Sequence, residues 1–271
     1  MIIFNHTGNM GDILYSLPFV FELCEANNIQ INDCIYNIQL NAPATYIEKH
    51  PNGNVLMTES SALFLKPLMD LIGFKDITIS LEKPEKCFEL ERFRNISFNT
   101  MAGDIRSWYY LFSMIHLPQD FSKKLINITE KNDKFKNKII ICRTTRILNP
   151  LINWKVLEEF KDNFIFVGLP DEYDIFCKDV FPIEYAKVKN ALDVAIIFNS
   201  CLGIISNQSG LYAIAETMKI PRLLVTSEFM KINDMIRFGP VNNLPCGGWF
   251  ECIRTNEKLK AMCKEMLKLK S

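Results

Sequence analysis

Nowhere does this sequence reach the ~18 consecutive apolar residues that a membrane-spanning helix requires, so no spanning segment is expected. It has no excess charge: Lys and Arg number 31 and Asp and Glu number 31, which argues against bulk electrostatic attraction to nucleic acid and leaves a local basic cleft as the only such route. It has no Cys-x-x-Cys pair. Its nine cysteines (Cys24, Cys34, Cys87, Cys142, Cys177, Cys201, Cys246, Cys252 and Cys263) are odd in number and scattered, which reads as reduced thiols and not as a disulfide framework or a zinc site. An Asp-x-Asp pair is also missing, so no metal ligand set is expected. The chain opens on a strand candidate and not on a basic segment with an apolar core, so no signal peptide and a cytoplasmic location are expected.

What is present is apolar residue in quantity, 48% of 271 residues, enough to core one large domain or two ordinary ones. Residues 1–24 read as strand, loop and helix, Ile35 to Leu40 as a second strand, and Asn54 to Met57 as a third. A helix over Ser61 to Leu71 and a strand over Ile77 to Ser80 follow. Cys87 to Leu90 and Asn95 to Phe98 read as short strands, and Trp108 to Ile115 as an apolar helix ended before Pro118. Thr129 to Lys138 is polar, charged and nearly free of core residues, the composition of a linker. Beyond it the βα rhythm restarts at Ile139-Ile140-Ile141-Cys142. Helices are expected at Trp154–Phe160, Glu172–Asp179, Ala191–Phe198, Leu211–Met218 and Asn256–Lys268, and strands at Phe164–Val167, Leu202–Ile205 and Arg222–Val225. Strands alternating with helices imply parallel sheets with both faces covered. The expected division is residues 1–130 and 137–271, an α/β architecture of two Rossmann-like domains facing a cleft.

Four stretches carry candidate chemistry. In Asn5-His6-Thr7-Gly8-Asn9-Met10-Gly11-Asp12-Ile13-Leu14-Tyr15-Ser16-Leu17-Pro18, a strand enters a glycine-bearing loop and then a helix, which aims backbone N–H groups and one carboxylate into the crevice at the strand's end. A helix-capping aspartate would leave the same trace. Cys142-Arg143-Thr144-Thr145-Arg146 sets two guanidinium groups three residues apart after a strand, suited to bidentate contact with phosphate oxygens. In Phe166-Val167-Gly168-Leu169-Pro170-Asp171-Glu172, Gly168 permits a close turn and Glu172 lies in the first turn of a helix, placed for a ribose or base or simply to favour the helix dipole. In Ser206-Asn207-Gln208-Ser209-Gly210-Leu211-Tyr212-Ala213, a Ser-Gly opens a helix whose N–H groups and macrodipole attract a diphosphate.

In that order these stretches resemble glycosyltransferase family nine, the heptosyltransferases and their relatives, which have the GT-B fold. The resemblance covers about the first twenty residues and most of the C-terminal half. It implies an inverting, metal-independent transfer of a heptose-like or other hexose unit from a nucleotide-diphosphate donor, ADP- or UDP-linked, to a hydroxyl of a glycan or another acceptor, with no cofactor. Asp12 falls on the family's base. Arg143, Thr145, Arg146, Gly168, Glu172, Gln208, Ser209 and Gly210 fall on the donor side; His6, Gly11 and Tyr15, in or beside the loop that carries Asp12, are expected on the acceptor side by that nearness. The chain departs from the family where Gln208 replaces an aspartate and Ala213 a histidine, and where Ile147-Leu148-Asn149-Pro150 replaces a stretch with a lysine. Two alternatives stay open: a phage-type enzyme acting on modified DNA bases, and a non-catalytic module that binds a nucleotide sugar. Trp249, in a glycine-rich loop, is expected to stack on a sugar or to bury against the opposite half.

Overall fold

Two parallel sheets follow one another along the chain. The computed structural model describes residues 1–46, 50–95, 104–226, 229–232, 235–238 and 245–269. In the first sheet β1 (Ile2–His6) lies between β2 (Cys34–Gln39) and the two-residue β4 (Phe88–Glu89), with β3 (Asp76–Ser80) outside β2. In the second, β5 (Ile139–Cys142) lies between β6 (Phe164–Phe166) and β8 (Gly203–Ser206), flanked by β7 (Glu184–Tyr185), β9 (Arg222–Val225) and β12 (Phe250–Ile253). β10 (Phe229–Ile232) and β11 (Met235–Phe238) pair with each other as an antiparallel hairpin. In each sheet the chain winds out to one side of the first strand and then crosses to the other. A topological switch point therefore lies beyond β1 and another beyond β5, the places where open α/β sheets bind ligands.

The second sheet is covered on both faces. Ile139, Ile141, Phe164, Phe166, Leu223 and Val225 pack against Phe176 of α4 (Pro170–Asp179), against α7 (Asn256–Met266), and against a 3-10 helix at Trp154–Asn163. Trp154, Leu157 and Phe160 recur every third residue, the period of a three-residue turn, which is why this expected helix is 3-10 and not α. Ile140, Cys142, Ile165, Ile204 and Leu224 point the other way, toward α5 (Ala191–Ser200) and α6 (Gly210–Met218).

The first sheet departs from the expectation. Phe4, Tyr36, Ile38 and Ile77 face α1 (Met10–Ala26), α2 (Glu59–Met69) and α3 (Ile105–Ser113). The opposite face carries Asn5, Asn37, Gln39, Thr78 and Ser80 at alternating positions, and these bond one another across the strands: Asn5 to Gln39 at 2.9 Å, Asn37 to Asn5 at 2.8 Å, Thr78 to Asn37 at 2.7 Å. Ile3 and Ile35 on that face join neither apolar cluster. Polar alternation thus gives this sheet one apolar face and one face of hydrogen-bonded side chains, with Asn5 and Asn37 buried in it.

Other differences are local. Asn54–Met57 is no strand; only Val55 bridges, to Pro43. The Asn95–Phe98 expectation begins in a 3-10 turn at Arg92–Asn95 and otherwise lies outside the described residues. The polar linker is docked: Phe135 is buried and the Asn132 amide donates to Ser200 Oγ at 2.8 Å. Trp249 packs on the apolar layer of the second sheet's own outer face. Among the described residues no helix is long and apolar enough to cross a membrane.

The halves meet through helices. α1 lies along α6, and α2 along α5. A Cβ on Gly11 would stand 3.8 Å from Gly210 Cα and from Ala213 Cβ, and Glu216, farther along α6, faces Tyr15. The two helices therefore run parallel with their N-termini level. Arg106 of α3 crosses the seam to Glu216 at 2.8 Å and is also held by Asp104, while Glu216 receives Arg222 and Lys219, each at 2.6 Å.

Candidate active site

Beyond β1 the polar groups are wired together. His6 is fully buried, its Nδ1 accepts the Gly8 N–H at 2.9 Å, and its Nε2 meets the Tyr109 hydroxyl at 2.9 Å. That hydroxyl donates to the Asp12 carbonyl at 2.8 Å, so the imidazole is neutral with its proton on Nε2. Burial lowers its pKa, against the raising influence of Glu91 and Asp12. Glu91 follows β4, and its Oε2 accepts from the Thr7 N–H at 2.7 Å and the Thr7 hydroxyl at 2.5 Å. Burial would raise its pKa, but His6, Arg94 and the Thr7 bonds outweigh burial and hold it below the usual carboxylate range. Arg94 joins Glu91 through Nε and reaches Asp12 Oδ2 through Nη2 at 2.6 Å. Asp12 Oδ2 also accepts the Asn9 N–H at 3.1 Å, a helix-capping contact. Asp12 thus caps α1 and still opens to the crevice, its side chain 18% exposed.

Beyond β5 and β8 the arrangement differs. Asn207 is the staple: its Oδ1 accepts the Thr144 N–H at 2.9 Å, and its Nδ2 donates to Thr144 Oγ1 at 2.9 Å and to the Arg146 carbonyl at 2.6 Å. The loop it holds includes Ile147 at φ +51°, a left-handed conformation that β-branched residues avoid, so the stapled loop stores strain at the crevice. Arg146 faces across to the first half, where burial and then Arg146 push His50 down to about 4. His50 stacks on Tyr46 at 3.9 Å, and Tyr46 donates to Asn9 Oδ1 at 2.8 Å, which links this platform to the first turn of α1. Arg143 lies over Trp154 at 6.0 Å, its Nε and Nη1 are buried with no partner among the described residues, and burial lowers its pKa. Gln208, 9% exposed, likewise has a buried Nε2 with no partner among the described residues. Thr145 is exposed at the tip of the loop.

Of the remaining predicted residues, Ser209 caps α6 by accepting the Tyr212 N–H at 3.1 Å, which leaves the Gly210 and Leu211 amides at the open end of the helix. Met10 lies across Gly210, where a Cβ would collide with it. Glu172 Oε2 accepts the Leu169 N–H at 3.1 Å and so caps α4; burial raises its pKa. Gly168 is required there, because a Cβ would come within 2.7 Å of the Phe166 ring. Gly11 forms the close crossing with α6 and does not line an open surface. Tyr15 is buried between the helices, its hydroxyl unpartnered and its pKa pushed up by burial and by Glu216. Ala213 is buried in the same crossing, where a longer side chain would drive α1 away.

Sequence reasoning did not reach Glu91, Arg94, Tyr109 or Asn207. Glu91 and Arg94 follow a two-residue strand in a stretch without periodicity, and Tyr109 sits in a run that reads as apolar core. Asn207 alone carried a signal, since a polar residue directly after a buried strand is the one placed to tie the loops of a crevice.

No family model and no curated protein matches the chain by sequence. Solved structures match it in fold. The E. coli ADP-heptose LPS heptosyltransferase II aligns over 98% of this chain and 98% of its own, with a TM-score of 0.60 and 10% identity. A family 9 glycosyltransferase of Veillonella parvula aligns over 100% of this chain and 90% of its own, at 0.51 and 15%. The chain has the fold of the family 9 glycosyltransferases. A third neighbour, the iron-containing dodecameric glycosyltransferase TibC of enterotoxigenic E. coli, aligns over 90% of this chain and 61% of its own, at 0.52 and 11%. The expected α/β, two-sheet GT-B arrangement is therefore present, with the polar face of the first sheet as its local variation. Among the described residues no group of three or more His, Cys, Asp or Glu is disposed to hold a metal.

Proposed function

We propose that this protein is an inverting glycosyltransferase that uses a nucleotide-diphosphate sugar, ADP- or UDP-linked, and a hydroxyl acceptor. One observation carries the reading. The close crossing of Gly11 with Gly210 and Ala213 brings the first turn of α1, which carries Asp12, against the first turn of α6, which carries the Gly210 and Leu211 amides, and Arg146 faces His50 of the first half. Two helix N-termini and a guanidinium favour an anion such as a diphosphate, and the carboxylate next to them suits a proton acceptor.

In the proposed step the acceptor oxygen attacks the anomeric carbon while the bond from that carbon to the diphosphate oxygen breaks. The acceptor's proton passes to Asp12, and the nucleoside diphosphate leaves with its charge met by the Gly210 and Leu211 N–H groups and Arg146. Arg143 and Gln208 contribute donors that otherwise lack partners. Guanidinium groups and helix amides do this work without a metal, so EDTA is expected to leave the rate unchanged. A general base contributes about 10²–10⁴-fold. The test is release of nucleoside diphosphate from ADP-, UDP-, GDP- and CDP-sugars in the presence of saccharide acceptors. The reading expects turnover of one donor class that Asp12→Asn abolishes; a folded Asp12→Asn variant of undiminished rate would overturn it.

A further inference from the structure

The pair Glu91–Arg94 touches the proposed base and belongs to no motif of the chain. We infer that Arg94 is a positioning residue for Asp12, fixing which carboxylate oxygen faces the acceptor; this rests on the reading of Asp12 as the base. Oδ2 takes two donors, the Asn9 N–H at 3.1 Å and Arg94 Nη2 at 2.6 Å. Among the described residues Oδ1 takes none, and it is the oxygen left for an acceptor hydroxyl.

Arg94 is itself anchored. Its Nε binds Glu91, whose side chain is 5% exposed and whose other oxygen is held by the N–H and hydroxyl of Thr7. The planar guanidinium therefore spans two carboxylates, one after β1 and one after β4, and ties the two lips of the switch point together. The second anchor on this loop is the Tyr109 hydroxyl on the Asp12 carbonyl, which fixes the backbone but not the carboxylate rotor. Gly8 makes room for the clamp, because a Cβ there would collide with Glu91 Oε1. Without Arg94 the carboxylate keeps only the Asn9 N–H and can turn. A lysine presents one point charge and holds Asp12 or Glu91, not both.

The test compares wild type, Arg94→Gln and Arg94→Lys on whichever of the ADP-, UDP-, GDP- or CDP-sugars the wild type turns over. Arg94→Gln should lower kcat by at least about tenfold, with donor KM within about twofold, and Arg94→Lys should recover part of the loss. A kcat for Arg94→Gln within about twofold of wild type, or a loss lying wholly in KM, would overturn the assignment. If the wild type turns over none of these sugars, the reading of Asp12 as base fails, and a crystal structure of Arg94→Gln decides the positioning separately. A turned Asp12 carboxylate supports it, and an unmoved one overturns it.

Discussion

The two switch points of this molecule are built on opposite principles. Beyond β1 nearly every polar group has a partner: His6, Thr7, Glu91, Arg94, Tyr109 and the Asp12 backbone form one network, and one carboxylate oxygen is left open. Beyond β5 and β8 the backbone is stapled by Asn207, but Arg143 Nε and Nη1 and Gln208 Nε2 are buried without a partner among the described residues. Leaving a buried donor without a partner costs about 1–3 kcal/mol, and such groups concentrate where a ligand supplies the acceptor. In the proposed function the first crevice serves as a rigid frame for one reactive group, and the second offers its unpaired donors to an anion.

The largest effect is expected at the joint between the two. Glu216 sits among the buried Arg106 and Arg222 and the half-buried Lys219, so Glu216→Gln would leave three cations facing one another. Denaturant unfolding should register a loss of about 3–5 kcal/mol; a loss below about 1 kcal/mol would mean the seam is held by apolar packing instead. Next is Asp12→Asn, expected to lower transfer at least about a hundredfold with the fold retained, read from initial rates beside a thermal melt.

Smaller effects separate the crevices. Arg143→Ala should weaken nucleotide affinity about tenfold while leaving acceptor dependence alone, since it removes a donor from the second crevice only; titration calorimetry measures this, and unchanged affinity removes Arg143 from the site. The smallest is a pH effect. His6 and His50 both hold their protons less tightly folded than unfolded, His50 with a pKa of about 4 against 6.5. Their contribution is therefore full above pH 6.5 and lost as pH falls toward about 4. Unfolding free energies across that range should decline as pH falls, and a flat profile would contradict the neutral His6 on which the first network depends.

The contrast also explains what the sequence could reveal. Residues following long buried strands were legible: Asp12 after β1, Arg143 and Arg146 after β5, and Ser209-Gly210 after β8, because an uninterrupted apolar run marks the strand and its end marks the crevice. Glu91 and Arg94 follow a strand of two residues, too short to leave a period, so half of the first crevice was hidden. Tyr15 and Gly11 were placed on the acceptor side by their nearness to Asp12 in the chain. Helical rotation turns them instead toward α6, and the pattern of one helix does not reveal which neighbour its face meets. The polar character of one face of the first sheet was legible in the alternation of Asn5, Asn37 and Gln39, although the βα rhythm implied an apolar layer there.

The most direct test of the account is titration calorimetry of ADP, UDP, GDP and CDP, each with and without a sugar, into wild type, Asp12→Asn and Arg143→Ala. The account predicts that one nucleoside diphosphate class binds, that Asp12→Asn binds it as tightly as wild type, and that Arg143→Ala binds it more weakly. Binding of none by a folded wild type, or binding lost in Asp12→Asn and kept in Arg143→Ala, would contradict the division of labour between the two crevices.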